Sequence, residues 1–205
     1  MMLGTGEPDL GPWTVVGLDE FVARLPFLVA LDGRGSSGKS ALTSRIAARV
    51  PGAVVVHTDD IAWHHAAFDW ADMLVTGVLE PVRRGEPVSF RPPQWEARGR
   101  AGAIEVPAGA PLVLVEGVGS ARRELAGRYD EIVYVQSDVR ETDRRNQVKC
   151  DAGETNPADL RSWMAEEIPF VAADRPWERA GLIVTGTPDL PHDPQRQVVI
   201  SSAGR

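Results

Sequence analysis

The stretch Gly33–Ser40, GRGSSGKS, fits the pattern G-x-x-x-x-G-K-[ST] at every fixed position. Such a run suits phosphate chemistry. Glycines let backbone N–H groups approach phosphate oxygens without a clashing Cβ, and a following helix adds the partial positive charge of its N-terminus. Gly33, Arg34, Gly35, Ser36, Ser37, Gly38, Lys39, Ser40 and Ala41 are therefore the expected nucleotide contacts. Lys39 is placed to hold the β- and γ-phosphates, and the Ser40 hydroxyl to ligate Mg²⁺. Three carboxylates follow apolar runs: Asp59 and Asp60 in HTDD, and Glu116 in VEG. A magnesium–ATP site needs a carboxylate near the metal, and a kinase needs one to take the proton of an attacking hydroxyl. Glu116 and Asp59 are candidates for the metal shell. Asp59 is the candidate base, with Asp60 as the alternative.

The elements that must position these groups alternate. FLVALDG, AVVVHTDD, PLVLVEGV, EIVYVQS and GLIVTGT read as buried strands. KSALTSRIAARV, WADMLVTGVLEPVRRG and PADLRSWMAEEIPFVAAD read as helices between them. Continuous apolar strands separated by helices predict an α/β fold with a five-stranded parallel sheet covered on both faces. In such sheets ligands lie beyond the carboxyl ends of the strands. Residues 91–103 and 151–156 read as irregular segments at that edge. The 205 residues suit a single domain spanning 1–205, and 43% hydrophobic content supports a packed core.

A net charge of −7 disfavours a general nucleic-acid or membrane-surface partner. One cysteine, Cys150, permits no internal disulfide and points to a reducing, cytoplasmic setting. No apolar run is long enough to span a bilayer, and the start of the chain lacks a signal-peptide pattern. The sequence leaves a homo-oligomer open. Cys150 itself reads as a small packing residue.

The order DGRGSSGKS, HTDD, FDWADML…VRRGEPV, VEGV and then an arginine-bearing helix resembles the uridine kinase and phosphoribulokinase-like group of P-loop kinases, over about residues 27–187. The resemblance implies a three-layer P-loop NTPase fold, ATP and Mg²⁺ as cofactors, and transfer of a γ-phosphoryl group to a small-molecule acceptor such as uridine. It assigns phosphate and Mg²⁺ contacts to Lys39 and Ser40, acid–base chemistry to Asp59 and a metal-side carboxylate to Glu116. It also assigns a lid arginine to Arg144, with a lid over about 138–156. The group's sugar-gripping element, a tyrosine and a histidine, is absent; the matching region reads SFRPPQWEARGR.

On the acceptor side the candidate contacts are Asp60, Trp63, Arg91, Trp95 and Arg98, in the dense WHHAAFDW stretch and the 91–103 loop. Trp and Arg can stack on or pair with a polar substrate. His64 and His65 are adjacent, which does not suit a metal pair on one helical face. Thr185–Pro188 follows the last expected strand and, by analogy, suits an adenine contact. The rival from another class is a nucleotide-dependent switch without a small-molecule acceptor. The chain lacks an N-K-x-D guanine-reading element, which leans against it.

Overall fold

A computed structural model of the chain describes residues 1–202. The described elements run β1 (Trp13–Gly17), α1 (Leu18–Val22), β2 (Leu28–Asp32), α2 (Lys39–Ala47), β3 (Val54–His57) and α3 (Thr58–Ala62). Next come α4 (Ala71–Leu74), a π-helical turn (Val75–Leu79) and α5 (Glu80–Arg83), which continue one another. A small hairpin, β4 (Val88–Phe90) and β5 (Ile104–Val106), encloses α6 (Pro93–Ala97). The chain then forms β6 (Val113–Glu116), β7 (Glu131–Gln136), α7 (Val139–Asp151), α8 (Pro157–Asp174), β8 (Leu182–Thr185) and β9 (Gln197–Ser201).

The main sheet has seven strands in the order β1-β9-β8-β7-β2-β6-β3. The five expected strands are all present and pair in parallel as β8-β7-β2-β6-β3. The expectation of a purely parallel, five-stranded sheet is corrected by β9 and β1, which extend the β8 side. β9 runs antiparallel to both β8 and β1. The sheet is thus mixed. Both added strands are five residues long and carry short apolar centres, WTVVG and QVVIS. Val198, Val199 and Ile200 are nevertheless buried, because β9 is not an edge strand. The 91–103 segment is also less irregular than expected: α6 lies within it and the hairpin closes it.

Residues of the central strands alternate between two cores, as the period of a strand requires. Leu28, Ala30, Val113, Val115, Ile132 and Tyr134 face one side, with Trp70, Leu74, Val78 and Trp177. Val29, Leu31, Leu112, Leu114, Val133 and Val135 face the other, with Leu18, Phe21, Leu42 and Ile46 from α1 and α2. Helices cover both faces, which explains why the central strands read as continuous apolar runs rather than alternating ones.

The parallel pairing brings β2, β3 and β6 to a common carboxyl edge. His57 pairs in register with Glu116, and Leu31 pairs with Glu116 on the other side. Beyond β6 the chain must pass α3 at very close range. Gly117 has φ +151°, and a Cβ there would sit 1.7 Å from Thr58 Oγ1. Gly117→Ala is expected to cost about 2–3 kcal/mol by combining a left-handed backbone with a hard contact. Thermal unfolding checks this, with a clear fall in Tm expected.

Candidate active site

The phosphate-loop sequence folds as a strand–loop–helix. β2 ends at Asp32, the loop turns through Gly33–Gly38, and α2 begins at Lys39. Gly33 has φ +149°, and a Cβ would meet Val135 O at 2.5 Å, so only glycine lets the loop pass over β7. The Lys39 ammonium crosses the loop and donates to Arg34 O at 2.8 Å. Ser36, with φ +58°, is a left-handed non-glycine residue. Two residues of α7 hold it there: its hydroxyl lies 2.6 Å from Asn146 Oδ1, and Arg145 Nη1 donates to its carbonyl at 3.1 Å. Arg145 Nη2 also donates to Gly186 O at 3.0 Å, tying the phosphate loop to the turn after β8. Arg144, one position earlier, is exposed and forms a two-pronged pair with Glu141. Of the two arginines, Arg145 is the one that touches the phosphate loop.

One side of Lys39 and Ser40 opens into a cavity of about 1030 Å³. The phosphate loop, Arg144, Arg145, the Thr185–Asp189 turn and His192 line it. This volume is at the upper end for small-molecule sites. The turn singled out for an adenine contact lies on its wall.

The carboxylates lie near the same two residues. Ser40 Oγ donates to Glu116 Oε1 at 3.2 Å, and His57 Nδ1 lies 2.8 Å from Glu116 Oε2. Burial pushes the Glu116 carboxyl up, but the His57 hydrogen bond and the Lys39 charge outweigh it and leave the group below its ordinary range. His57 is correspondingly raised, chiefly by its hydrogen bond to Glu116. Asp59 stays within reach of solvent, yet desolvation in its crowded surroundings raises its carboxyl; Lys39 pulls the other way. Among the described residues no group of three or more His, Cys, Asp or Glu side chains forms a ready-made cation site. A hydroxyl and a single carboxylate in contact do fit Mg²⁺, which commonly takes one or two protein oxygens and completes its shell with phosphate and water.

Asp60 does not share this cluster. It pairs with Arg100 at 2.5 Å and its carbonyl accepts from the Trp95 indole at 2.8 Å. The Arg100 guanidinium lies 3.6 Å from the centre of the Trp95 ring and 5.1 Å from that of Trp63. Asp60, Trp63 and Trp95 thus meet around Arg100. Arg91 instead donates to Gly102 O and Arg100 O, closing the loop, and Arg98 is exposed. His64 and His65 are exposed, with His64 edge-on to Trp63.

Several groups escaped the sequence reading. Asp32, fully buried, accepts from Gly33 N at 2.6 Å, Gly119 N at 3.0 Å and Ala121 N at 2.8 Å. Glu167 of α8 accepts from Gly35 N at 2.7 Å and from the Trp163 indole. Asp32 directly precedes the phosphate motif, and that adjacency was the available signal. Nothing local marks Glu167, because its partner lies 132 positions away.

With this geometry in place, comparison with solved structures shows which folds the chain is similar to. It is similar to a possible uridine kinase from Bacillus stearothermophilus, with 14% identity over 81% of this chain and 96% of the other and a TM-score of 0.55. It is also similar to a protein provisionally described as a fructose transport system kinase from Silicibacter sp. TM1040. There the identity is 20%, over 80% of this chain and 95% of the other, with a TM-score of 0.57. The chain thus shares its fold with these two structures. No protein-family model and no curated protein matches the sequence. No helix among the described residues is long and apolar enough to cross a membrane.

Burial raises the Asp32 carboxyl to about 6, against the pull of its backbone donors and Lys39. An unfolded Asp32 titrates near its ordinary value of 3.8, so the folded state holds the extra proton between there and about 6. Over that window this group lowers stability as pH rises. Asp32→Asn is expected to remove that contribution. Tm followed from pH 4 to 7 in both proteins checks it: the downward contribution present in the wild type should be missing in the variant.

Proposed function

We propose that the protein is a magnesium–ATP-dependent kinase that transfers the γ-phosphoryl group to a hydroxyl of a small metabolite. The observation that carries this reading is the placement of Lys39 and Ser40 between a cavity large enough for a nucleotide and the Asp59–Glu116–His57 cluster. A nucleotide in that cavity would present its terminal phosphate at Lys39, whose charge acts on Asp59. An acceptor hydroxyl would then approach from the Asp59 side.

In the reaction the acceptor oxygen forms a bond to the γ-phosphorus as the bond from phosphorus to the β,γ-bridging oxygen breaks. ADP departs with the electron pair, and Asp59 receives the hydroxyl proton. Lys39 and the loop N–H groups offset the charge spread over the phosphoryl oxygens. Bound Mg²⁺ would neutralise phosphate charge, held by Ser40 with Glu116 beside it. His57 fixes the orientation of Glu116. Arg145 keeps the phosphate loop closed under α7, and the 138–156 region acts as the lid. The 91–103 loop, together with Trp63 and Asp60 around Arg100, walls the acceptor side. By resemblance, uridine is one acceptor to test. Its sugar-gripping partners have no counterpart here, so other small alcohols stand beside it.

The test is ADP release from magnesium–ATP across a panel of nucleosides, sugars, vitamins and amino alcohols. One acceptor should raise turnover well above the acceptor-free rate. Asp59→Asn should cut that gain by at least about 100-fold, in line with loss of a positioned base. Lys39→Ala should weaken both nucleotide binding and turnover. Hydrolysis that ignores every acceptor and survives Asp59→Asn would favour a nucleotide-dependent switch instead.

A further inference from the structure

Arg122 lies six residues beyond Glu116, on the loop that leaves the carboxyl end of β6. Its side chain is only 3% exposed. Nη1 is engaged, donating to Phe68 O at 2.6 Å and standing 3.7 Å from the exposed Glu124. Nε and Nη2 are buried and have no hydrogen-bond partner. These two N–H groups form one edge of the guanidinium plane, the fork that takes a carboxylate or phosphate through two parallel hydrogen bonds. Buried donors in native proteins are almost always satisfied, so an empty fork is a specific anomaly.

The surroundings do not fill it. Asp32 is committed to three backbone N–H groups, and Asp174 is paired with Arg179. The rings of Trp70, Phe170 and Phe68, at 4.3, 5.1 and 5.7 Å, favour the cation without accepting a strong hydrogen bond from the fork. Tyr129, also buried with an unpartnered hydroxyl, lies within electrostatic reach of the guanidinium.

The fork also sits toward the catalytic edge. A Cβ on Gly119 would come within 3.4 Å of Nη2 and 3.1 Å of Phe170. Gly119 is two residues from Gly117, which abuts Thr58, the neighbour of Asp59. Phe68 and Phe170 stack at 3.8 Å beside this point, and Trp163 packs on Phe68. Phe68 comes from the acceptor-side stretch and Phe170 from α8, so the fork is walled by a pair of rings that belong to two separate segments.

We propose that the Nε–Nη2 edge of Arg122 is an anion-binding subsite on the acceptor side, so that the alcohol phosphorylated here carries a carboxylate or a phosphate group. This rests on the kinase reading for its role, but the anion site can be measured without turnover. It turns acceptor choice away from uncharged nucleosides.

The test fills the phosphate loop with magnesium–ADP, so that added anions cannot occupy it. Sodium acetate and sodium sulfate are then titrated against sodium chloride at constant ionic strength, with tryptophan fluorescence as the readout, because Trp70 and Trp163 stand at the site. A saturable change is expected with at least one anion; acetate marks a carboxylate acceptor and sulfate a phosphorylated one. Arg122→Met, checked for folding by circular dichroism, should weaken binding at least tenfold. Arg122→Lys keeps the charge but removes the fork, and should weaken it several-fold; it decides the matter if the methionine variant does not fold. Absence of saturation with both anions, or unchanged binding in the variants, overturns the proposal. Anion binding at Arg122 without any acceptor-stimulated turnover would instead count against the kinase reading alone.

Discussion

A single buried carboxylate organises the edge that carries the candidate site. Asp32 ends β2 and gathers N–H groups from the first residue of the phosphate loop and from two residues beyond β6. A carboxylate has no donors of its own when ionised, so it can serve several N–H groups that would otherwise be buried unpaired. Two loops that leave neighbouring strands are thereby fixed relative to each other. One carries Lys39 and Ser40; the other begins at Glu116 and reaches Arg122. The cost is the desolvation of Asp32 itself, which pushes its carboxyl up to about 6.

From that anchor the remaining parts of the edge follow by reach. α7 grips the phosphate loop through Asn146 and Arg145, and α8 does so through Glu167. Glu167 receives Gly35 N–H, while the carbonyl of the same peptide unit receives the Lys39 ammonium. The two groups of a trans peptide point in opposite directions. Glu167 therefore braces the loop from the side away from Lys39 and helps aim the carbonyl that orients the ammonium. Trp163 and Phe170 on the same helix carry this brace into the aromatic cluster around Arg122.

Much of this was legible in the sequence. The five parallel strands were readable because each carries a continuous apolar run, and the phosphate loop because glycine, lysine and serine occur at fixed spacing. Glu116 could be marked as a candidate because it ends a strand, and Asp59 because it follows one closely. The pair β1 and β9 escaped because each offers only a short apolar centre; their burial depends on each other and on β8. Arg145 could not be separated from Arg144 in ETDRRNQ, since the choice rests on the rotation of α7 against the loop. Asp60 and Asp59 were likewise indistinguishable in the sequence, which does not show that Asp60 pairs with Arg100, 40 positions away. Glu167 and Arg122 act through contacts between segments distant in the chain, which no local pattern encodes.

The edge formed by β1 and β9 bears on how the chain reaches its fold. Trp13 pairs with Ser201, so the first strand can enter the sheet only beside the last. The five central strands can assemble from contacts of shorter span. Sequence separation of contacts slows folding, because a long loop must close before the contact repays it. The central strands that carry the phosphate loop can thus pair before the sheet's far side is closed. Closure of β1 on β9 then joins the first strand of the sheet to the last.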